Sequence, residues 1–88
     1  SQSRPYHALG VLMLLRLDFE KAVTFFTRAV ENDPRWSLPL LCLALTQRTL
    51  GDRPQAILAL QRFVFIEKPG CWRDFAEQLN ADWNRVDD

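Results

Sequence analysis

A pattern that recurs at a fixed interval constrains this chain more than any other feature of its sequence. The first copy runs from Asp18 to Pro34, where apolar residues at helical spacing lie between a polar start and a proline stop. In a weaker second copy, Asp52 matches Asp18 and Ala56 matches Ala22, at the same interval in both cases. This repeat interval is about 34 residues, a period typical of repeat architectures, so it predicts two related structural units.

Helical periodicity runs through the whole chain, and strict alternation of apolar and polar residues is absent. The predicted fold is all-α, with five antiparallel helices joined by short turns. The predicted helices begin and end near Ser3 and Arg16, Asp18 and Asn32, Leu38 and Leu50, Asp52 and Lys68, and Trp72 and Val86.

Polar residues at the predicted helix starts support these boundaries. Ser3, Asp18 and Ser37 each precede a helical segment, where a side-chain oxygen can accept a hydrogen bond from a free N–H. Asp52, with Gln55 three positions later, resembles a capping box.

Two of the predicted helices carry long apolar stripes, each on one face of its helix, and Trp72 and Trp83 are expected in core or end-cap packing. The first helix contributes Tyr6, Leu9, Gly10, Met13 and Leu17. The fifth contributes Trp72, Phe75, Ala76, Leu79, Trp83 and Val86.

Small residues recur where two helices of one unit would meet. Gly10 is matched by Ala44 in the second unit, and Phe26 is matched by Leu60. A small residue lets two helix backbones approach, and a large residue beside it fills the remaining space. The first and second helices of each unit are therefore predicted to pair closely.

These residues resemble the tetratricopeptide repeat, a helix-turn-helix unit of about 34 residues. The first unit reads Tyr6-x-x-Leu9-Gly10-x-x-Met13, then Ala22-x-x-x-Phe26, Ala29 and Pro34. The second unit departs from the family pattern at Ala44, Gln47, Phe63 and Pro69.

The resemblance implies a right-handed α-solenoid with repeat one at about 4–36, repeat two at about 37–70 and a capping helix at about 71–86. It also implies a concave groove, lined by the first helix of each repeat, that holds peptides or helices of other proteins. Members of the family are not themselves enzymes. The implied function is therefore a protein-binding scaffold, such as an adaptor or a chaperone.

Mapped onto this chain, the groove positions are mostly apolar. They are His7, Val11, Leu14 and Leu15 in the first unit and Leu38, Leu41, Leu45 and Arg48 in the second. The best-known peptide-binding members hold a terminal carboxylate with Lys, Asn and Arg, which His7, Val11 and Leu45 do not reproduce. The expected ligand is instead an apolar peptide or an amphipathic helix of a partner protein.

Other ways of covering these apolar helices stay open at this stage. A second copy of the chain could pair with the groove or with an end face, giving a structural oligomerisation domain, or the C-terminal helix could fill the groove. Two repeats fall below the usual minimum of three, which favours completion of the core by another chain. The residues could also be part of a larger multidomain protein.

Charge and cysteine content narrow the class of partner. Eleven basic residues balance eleven acidic ones among 88 residues, so no net field attracts nucleic acid or an anionic membrane surface. The apolar runs are too short to insert into a bilayer. Cys42 and Cys71 are expected to be free thiols in a reducing, cytoplasmic setting, and no signal-peptide pattern is present.

No residue pattern predicts catalysis, a cofactor or a metal site. His7 is the single histidine, with no carboxylate near it in sequence, and is expected to lie solvated or at the groove edge. Asp74, Glu77 and Asp82 are expected on the polar face of the last helix, with Arg73 pairing to Glu77.

Overall fold

The structure is a computed structural model that describes residues 2–85, and every regular element in that range is a helix. In chain order these are α1 (Ser3–Leu15), α2 (Phe19–Asn32), α3 (Leu38–Thr49), α4 (Arg53–Ile66) and α5 (Cys71–Trp83). The all-helical prediction is confirmed for this part of the chain. The fifth helix ends at Trp83, earlier than predicted, and Val86 lies outside the described residues.

Each helix packs against the next one in the chain. The radius of gyration is 12.5 Å, near the value of about 12 Å for a compact chain of this length. One apolar cluster connects α2 to α5, with fully buried members such as Phe26, Leu40 and Leu60. Across residues 2–85, none of the helices has the length and apolar character needed to cross a membrane.

The turn between α1 and α2 contains a residue in the left-handed backbone conformation. Leu17, at φ 60°, donates its N–H to the carbonyl of Leu14 at 2.9 Å, and the N–H of Asp18 reaches the carbonyl of Met13 at 2.8 Å. These two bonds satisfy helix-end carbonyls that would otherwise lack partners. Asp18 then caps α2 as predicted, because its carboxylate accepts from the N–H of Lys21 at 3.3 Å.

The turn between α3 and α4 repeats this arrangement one repeat interval later. Gly51, at φ 84°, donates to the carbonyl of Arg48 at 3.1 Å, and Asp52 donates to that of Gln47 at 2.9 Å. The predicted cap is again present, since the Asp52 carboxylate accepts from the N–H of Gln55 at 3.4 Å. The relation between the two copies therefore extends from the sequence to the backbone hydrogen bonds.

Two predicted caps are wrong. Ser3 lies inside α1 rather than before it, and its buried hydroxyl donates to the carbonyl of Ala29 at 3.1 Å, joining the start of α1 to the end of α2. Ser37 does precede α3, but its hydroxyl donates to Glu67 at the end of α4 instead of capping its own helix. In both cases the hydroxyl donates to an acceptor distant in sequence and accepts no capping bond from an N–H of its own helix.

Gly10 of α1 lies directly against a large side chain of α2. A Cβ atom at this position would lie 2.6 Å from Cε1 of Phe26, whose side chain is completely buried. The Phe26 ring therefore leaves no room for a side chain at residue 10, in agreement with the predicted small residue. Other members of the predicted α1 stripe are less buried, since Leu9 is 39% exposed and Leu17, outside the helix, is 74% exposed.

The predicted apolar face of α5 is only partly buried. Ala76 and Trp83 lie in the core, whereas Trp72 and Phe75 are 59% and 48% exposed. Of the two tryptophans expected in core or end-cap packing, Trp83 lies in the core and Trp72 does not. Arg53, at the start of α4, holds the other end of the helix through a hydrogen bond from Nε to the carbonyl of Trp83 at 2.9 Å.

Candidate partner-binding groove

One part of the predicted groove is a cavity between α1 and α3. Its volume is about 210 Å³, and it brings together Leu14 and Leu45, two of the predicted groove residues. Cys42, Thr46 and Thr49 complete the lining. The Thr46 hydroxyl is already bonded, since it donates to the carbonyl of Cys42 at 2.7 Å. The cavity therefore offers mainly apolar contact to a ligand.

A second cavity lies where α3 meets α4 and α5. It measures about 200 Å³, and its lining is Ser37, Leu38, Leu41, Phe63, Glu67 and Trp72. Leu38 and Leu41 come together here as predicted. Leu41 is 5% exposed and belongs to the floor, whereas Leu38 is 43% exposed and accessible from outside.

Three of the predicted apolar groove residues are open to solvent. Val11 is 37% exposed, Leu45 is 41% exposed and Leu15 is 78% exposed. Each exposed methyl group keeps an unfavourable contact with water that a covering surface would remove. These side chains are consequently available to an apolar ligand.

Of the two surroundings expected for His7, solvent or the groove edge, the structure excludes full solvation. Its ring is half-buried between Phe26 and Trp36, at centroid distances of 5.3 and 4.9 Å. Its Nδ1 is buried and has no hydrogen-bond partner among residues 2–85. Burial, together with the nearby Arg4 guanidinium, lowers the pKa of His7 below its ordinary value, so the imidazole is neutral at pH 7.

The stack continues to Arg4, whose guanidinium lies 4.6 Å from the centroid of Trp36. His7 and Arg4 therefore clamp the α2–α3 connection onto α1. In this arrangement the His7 ring packs against aromatic side chains of α2 and of the α2–α3 connection.

Arg48 extends from α3 towards α5. Its guanidinium carbon lies 6.0 Å from the centroid of the Trp83 ring, near the limit for attraction between a cation and an aromatic face. The side chain is exposed and forms no ion pair with a carboxylate of residues 2–85. Arg48 therefore provides an exposed positive charge near Trp83 and lines neither α3 cavity.

Trp72 is the main lining residue that sequence reasoning did not assign to the groove. One repeat interval after Leu38 the chain reaches Trp72, and the same step from Leu41 leads to Phe75. The two rings contact each other edge to face, at a centroid distance of 6.4 Å. Extending the repeat register into the last helix would have predicted both residues as groove positions.

The two thiols and the carboxylates of residues 2–85 lie in different surroundings. Burial raises the pKa of the Cys42 thiol, which keeps it protonated and a poor nucleophile at pH 7. Within the described residues, 2–85, no three His, Cys, Asp or Glu side chains come close enough to hold a metal ion. The predicted surface pair is present, with Arg73 Nε 4.0 Å from the Glu77 carboxylate.

A larger depression of about 420 Å³ lies at the turn end of the first unit. It is lined by Arg16, Leu17, Asp18, Phe19, Glu20 and Leu50 and contains none of the predicted groove residues. Both signs of charge occur around it, so its lining is less suited to an apolar ligand than the two cavities on α3.

Comparison with known proteins adds no relative to this picture. No family model, curated protein or solved structure matches the chain.

Proposed function

We propose that this chain is a non-enzymatic protein-interaction module of the tetratricopeptide type, acting as an adaptor or a chaperone. In this proposal the helices form antiparallel pairs in a right-handed solenoid, and α5 is the capping helix. The groove along α1, α3 and α5 holds an apolar peptide or an amphipathic helix of a partner protein.

The relation between the two turns supports the repeat part of the proposal. Leu17 and Gly51 share a left-handed backbone, and Asp18 and Asp52 cap the helices that follow. Agreement of backbone conformation, hydrogen bonds and capping at one fixed spacing is expected of two copies of a single unit.

The main support for binding of an apolar ligand is that apolar residues are exposed at the two α3 cavities. Leu45 and Leu38 each line a cavity while remaining more than a third exposed. Two partly open apolar pockets along one helix, α3, can receive successive apolar anchor residues of a peptide or helix ligand. The proposal includes no catalytic residue, cofactor or metal.

A selection experiment with random peptides tests the groove. Peptides selected on the wild-type protein from a display library are expected to be rich in apolar anchors. Leu45→Glu would place a charge at the α1–α3 cavity, where an apolar anchor leaves it desolvated, so binding of the selected peptides should fall at least about tenfold.

The matched control is Thr24→Glu, which introduces the same charge on an exposed position of α2 outside the groove. Far-ultraviolet circular dichroism should show unchanged helicity for both variants. Equal binding of the selected peptides to wild type and a folded Leu45→Glu variant would exclude this groove as the site.

Self-association is a second candidate function, and a different surface favours it. Leu9 and Leu12 on α1 are 39% and 44% exposed although neither lines an α3 cavity. Light scattering at low micromolar concentration should then report a dimer, and Leu12→Glu should dissociate it. A wild-type chain that is monomeric under these conditions contradicts this second function.

We also propose a reducing compartment such as the cytoplasm. The support is that Cys42 and Cys71 are both free thiols, one half-buried and one exposed.

A further inference from the structure

The outward face of α4 exposes more apolar surface than a surface helix needs. Phe65 is 88% exposed, the highest value among the large hydrophobic residues of the described chain, and Leu58 is 53% exposed. Together with Gln61, Arg62 and Ile66 they line a surface pocket of about 260 Å³. Residues 58, 62 and 65 recur at helical spacing, so they form one stripe along two turns.

This stripe lies on the opposite side of α4 from its buried residues. Ala56, Leu60 and Phe63 are all within 2% of complete burial and pack in the core. None of the stripe residues lines either α3 cavity. The stripe is therefore a surface separate from the groove.

The equivalent face of α2 in the first unit is polar. One repeat interval before Leu58 and Phe65 stand Thr24 and Glu31, both exposed on α2. The arginine between them is kept, since Arg28 precedes Arg62 by the same interval. Since helices at equivalent places in the two units differ in this way, the apolar stripe is not required by the fold.

The charge of the stripe indicates what it would hold. The sequence of α4, Arg53–Ile66, contains two arginines and no carboxylate. Arg53 is bonded to the end of α5, whereas the exposed Arg62 forms no ion pair within residues 2–85. A ligand that covers Leu58 and Phe65 would place some of its side chains beside the Arg62 guanidinium. A carboxylate there would form a charge-assisted hydrogen bond and strengthen binding.

We propose that the Leu58–Phe65 stripe is a second docking surface, which binds an amphipathic helix of another protein that carries acidic residues beside its apolar face. Such a helix can align anchors two turns apart with Leu58 and Phe65.

Two other occupants fit the stripe less well. In an antiparallel pairing of two α4 helices, Arg62 of one copy would lie near Arg62 of the other, which is repulsive. A membrane surface would require more than a single arginine on a protein whose basic and acidic residues balance.

Three labelled peptides test the proposal by fluorescence polarisation. They are short amphipathic helices with identical leucine positions, and the residues flanking the leucines are all Glu, all Gln or all Lys. The acidic peptide should bind wild type at least about tenfold more tightly than the basic one. Added salt should reduce this ratio, because the preference comes from exposed charges.

Variants copied from the first unit locate the binding site. Leu58→Thr with Phe65→Glu installs the residues found at the equivalent places of α2, so the fold should tolerate both changes. Binding of the acidic peptide should fall at least about tenfold in this double variant. Arg62→Glu alone should reverse the order of the acidic and basic peptides.

The groove variant Leu45→Glu is the matched control and should leave binding of the acidic peptide unchanged. Binding that is lost in Leu45→Glu but kept in the double variant overturns the second surface while supporting the groove. Failure of all three peptides to bind wild type also overturns the proposal.

The two rival occupants give separate results. A wild-type dimer in light scattering that Leu58→Thr with Phe65→Glu converts to monomer would assign the stripe to a second copy. Cosedimentation with phosphatidylcholine–phosphatidylglycerol vesicles that the same variant abolishes would assign it to a membrane. Either result overturns the proposal of a partner helix.

Discussion

At the scale of single residues, Leu17 occupies a backbone position that suits glycine. Its φ of 60° is matched by 84° at Gly51, the equivalent residue of the second unit. A side chain in this region costs about 1–2 kcal/mol, and a 74% exposed Leu17 recovers little of that by burial.

Leu17→Gly is therefore expected to stabilise the protein. Relief of the strain in the left-handed conformation outweighs the entropy cost of the more flexible glycine. The net gain in the free energy of unfolding should be about 0.5–1 kcal/mol. Chemical denaturation followed by circular dichroism measures this difference.

The reverse change supplies the control. Apart from Gly51 and its two chain neighbours, no atom of residues 2–85 lies within 4 Å of a Cβ placed at Gly51, so Gly51→Leu tests backbone strain without a clash. It should destabilise the protein by an amount similar to the gain at Leu17. A loss of stability in Leu17→Gly would instead show that the Leu17 side chain contributes contacts that outweigh its strain.

His7 should make stability depend on pH. Its pKa is lowered from the ordinary value of 6.5 by burial first and by Arg4 second, while the other packed groups, Phe26 and Trp36, carry no charge. A lowered pKa means that protonation favours the unfolded chain. The stabilisation is complete above pH 6.5 and is lost as pH falls from 6.5 through the folded-state pKa.

The measurement is the urea midpoint between pH 7.5 and pH 5, compared with that of His7→Phe, which keeps an aromatic ring and removes the titration. The midpoint of the wild type should fall more steeply with acid than that of the variant. Parallel pH profiles would mean that His7 protonates equally easily in the folded and unfolded chains.

Residue-scale predictions from the sequence succeeded where the interaction is local. Asp18 and Asp52 cap the helices that they precede, because the acceptor and the N–H are three positions apart. The Ser3 hydroxyl instead bonds to Ala29, 26 residues away. Such a partner becomes available only after the helices pack, so the pattern around Ser3 could not reveal it.

At the scale of elements, the pairing of α1 with α2 depends on Gly10 and Phe26 together. The equivalent pair in the second unit is Ala44 and Leu60, both fully buried. The smaller Gly10 is thus paired with the wide Phe26 ring, and Ala44 is paired with the narrower leucine side chain. The two units solve the same packing problem with different combinations of size.

Gly10→Ala is expected to destabilise the protein although alanine favours helices. The added Cβ would lie 2.6 Å from Cε1 of Phe26. Overpacking costs about 1–3 kcal/mol, which exceeds the helix-propensity gain of about 1 kcal/mol. Denaturation of the single variant should therefore show a net loss of stability.

The combination of Gly10→Ala with Phe26→Leu copies the pair found in the second unit and should recover part of that loss. A double-mutant cycle should give a favourable coupling energy of about 0.5–3 kcal/mol between the two positions. Additive effects would show that the ring of Phe26 moves away freely.

Ala22→Leu tests the same helix pair from the side of α2. Ala22 is completely buried, so the larger side chain should overpack the interface and cost about 1–3 kcal/mol. A change in the free energy of unfolding near zero would mean that Ala22 does not lie at the contact between these helices.

The groove was predictable from the sequence only as far as the repeat register was followed. The register identified Leu14 and Leu45, which line one cavity, and Leu38 and Leu41, which line another. Trp72 was placed on the apolar stripe of the last helix and expected in core or end-cap packing. Periodicity identifies the apolar side of a helix, but it does not tell whether another element covers that side.

At the scale of the whole molecule, α5 contributes to both the core and the groove. Trp83 is buried against the other helices, while Trp72 lines the cavity that also contains Leu38 and Leu41. Any change that loosens α5 should therefore affect stability and groove binding together. The link that holds its C-terminal end is Arg53, which bonds to the carbonyls of Trp83 and Arg85.

Arg53→Met is expected to loosen α5 while leaving the first unit intact. Methionine keeps much of the aliphatic length and removes the charged donors, whose bonds to carbonyls are worth about 1.5–3 kcal/mol. Hydrogen exchange should become faster in α5 and stay unchanged in α1 and α2. Peptides selected on the wild-type groove should also bind more weakly, although Arg53 lines neither α3 cavity.

Arg73→Met is the matched control, because it removes an arginine from α5 itself. Its pair with Glu77 is partly exposed and 4.0 Å long, so the loss should be at most about 1 kcal/mol. Equal effects of the two substitutions on exchange in α5 would mean that the bonds from Arg53 do not hold the helix. Faster exchange across the whole chain in Arg53→Met would mean that α5 and the first unit unfold as one cooperative body.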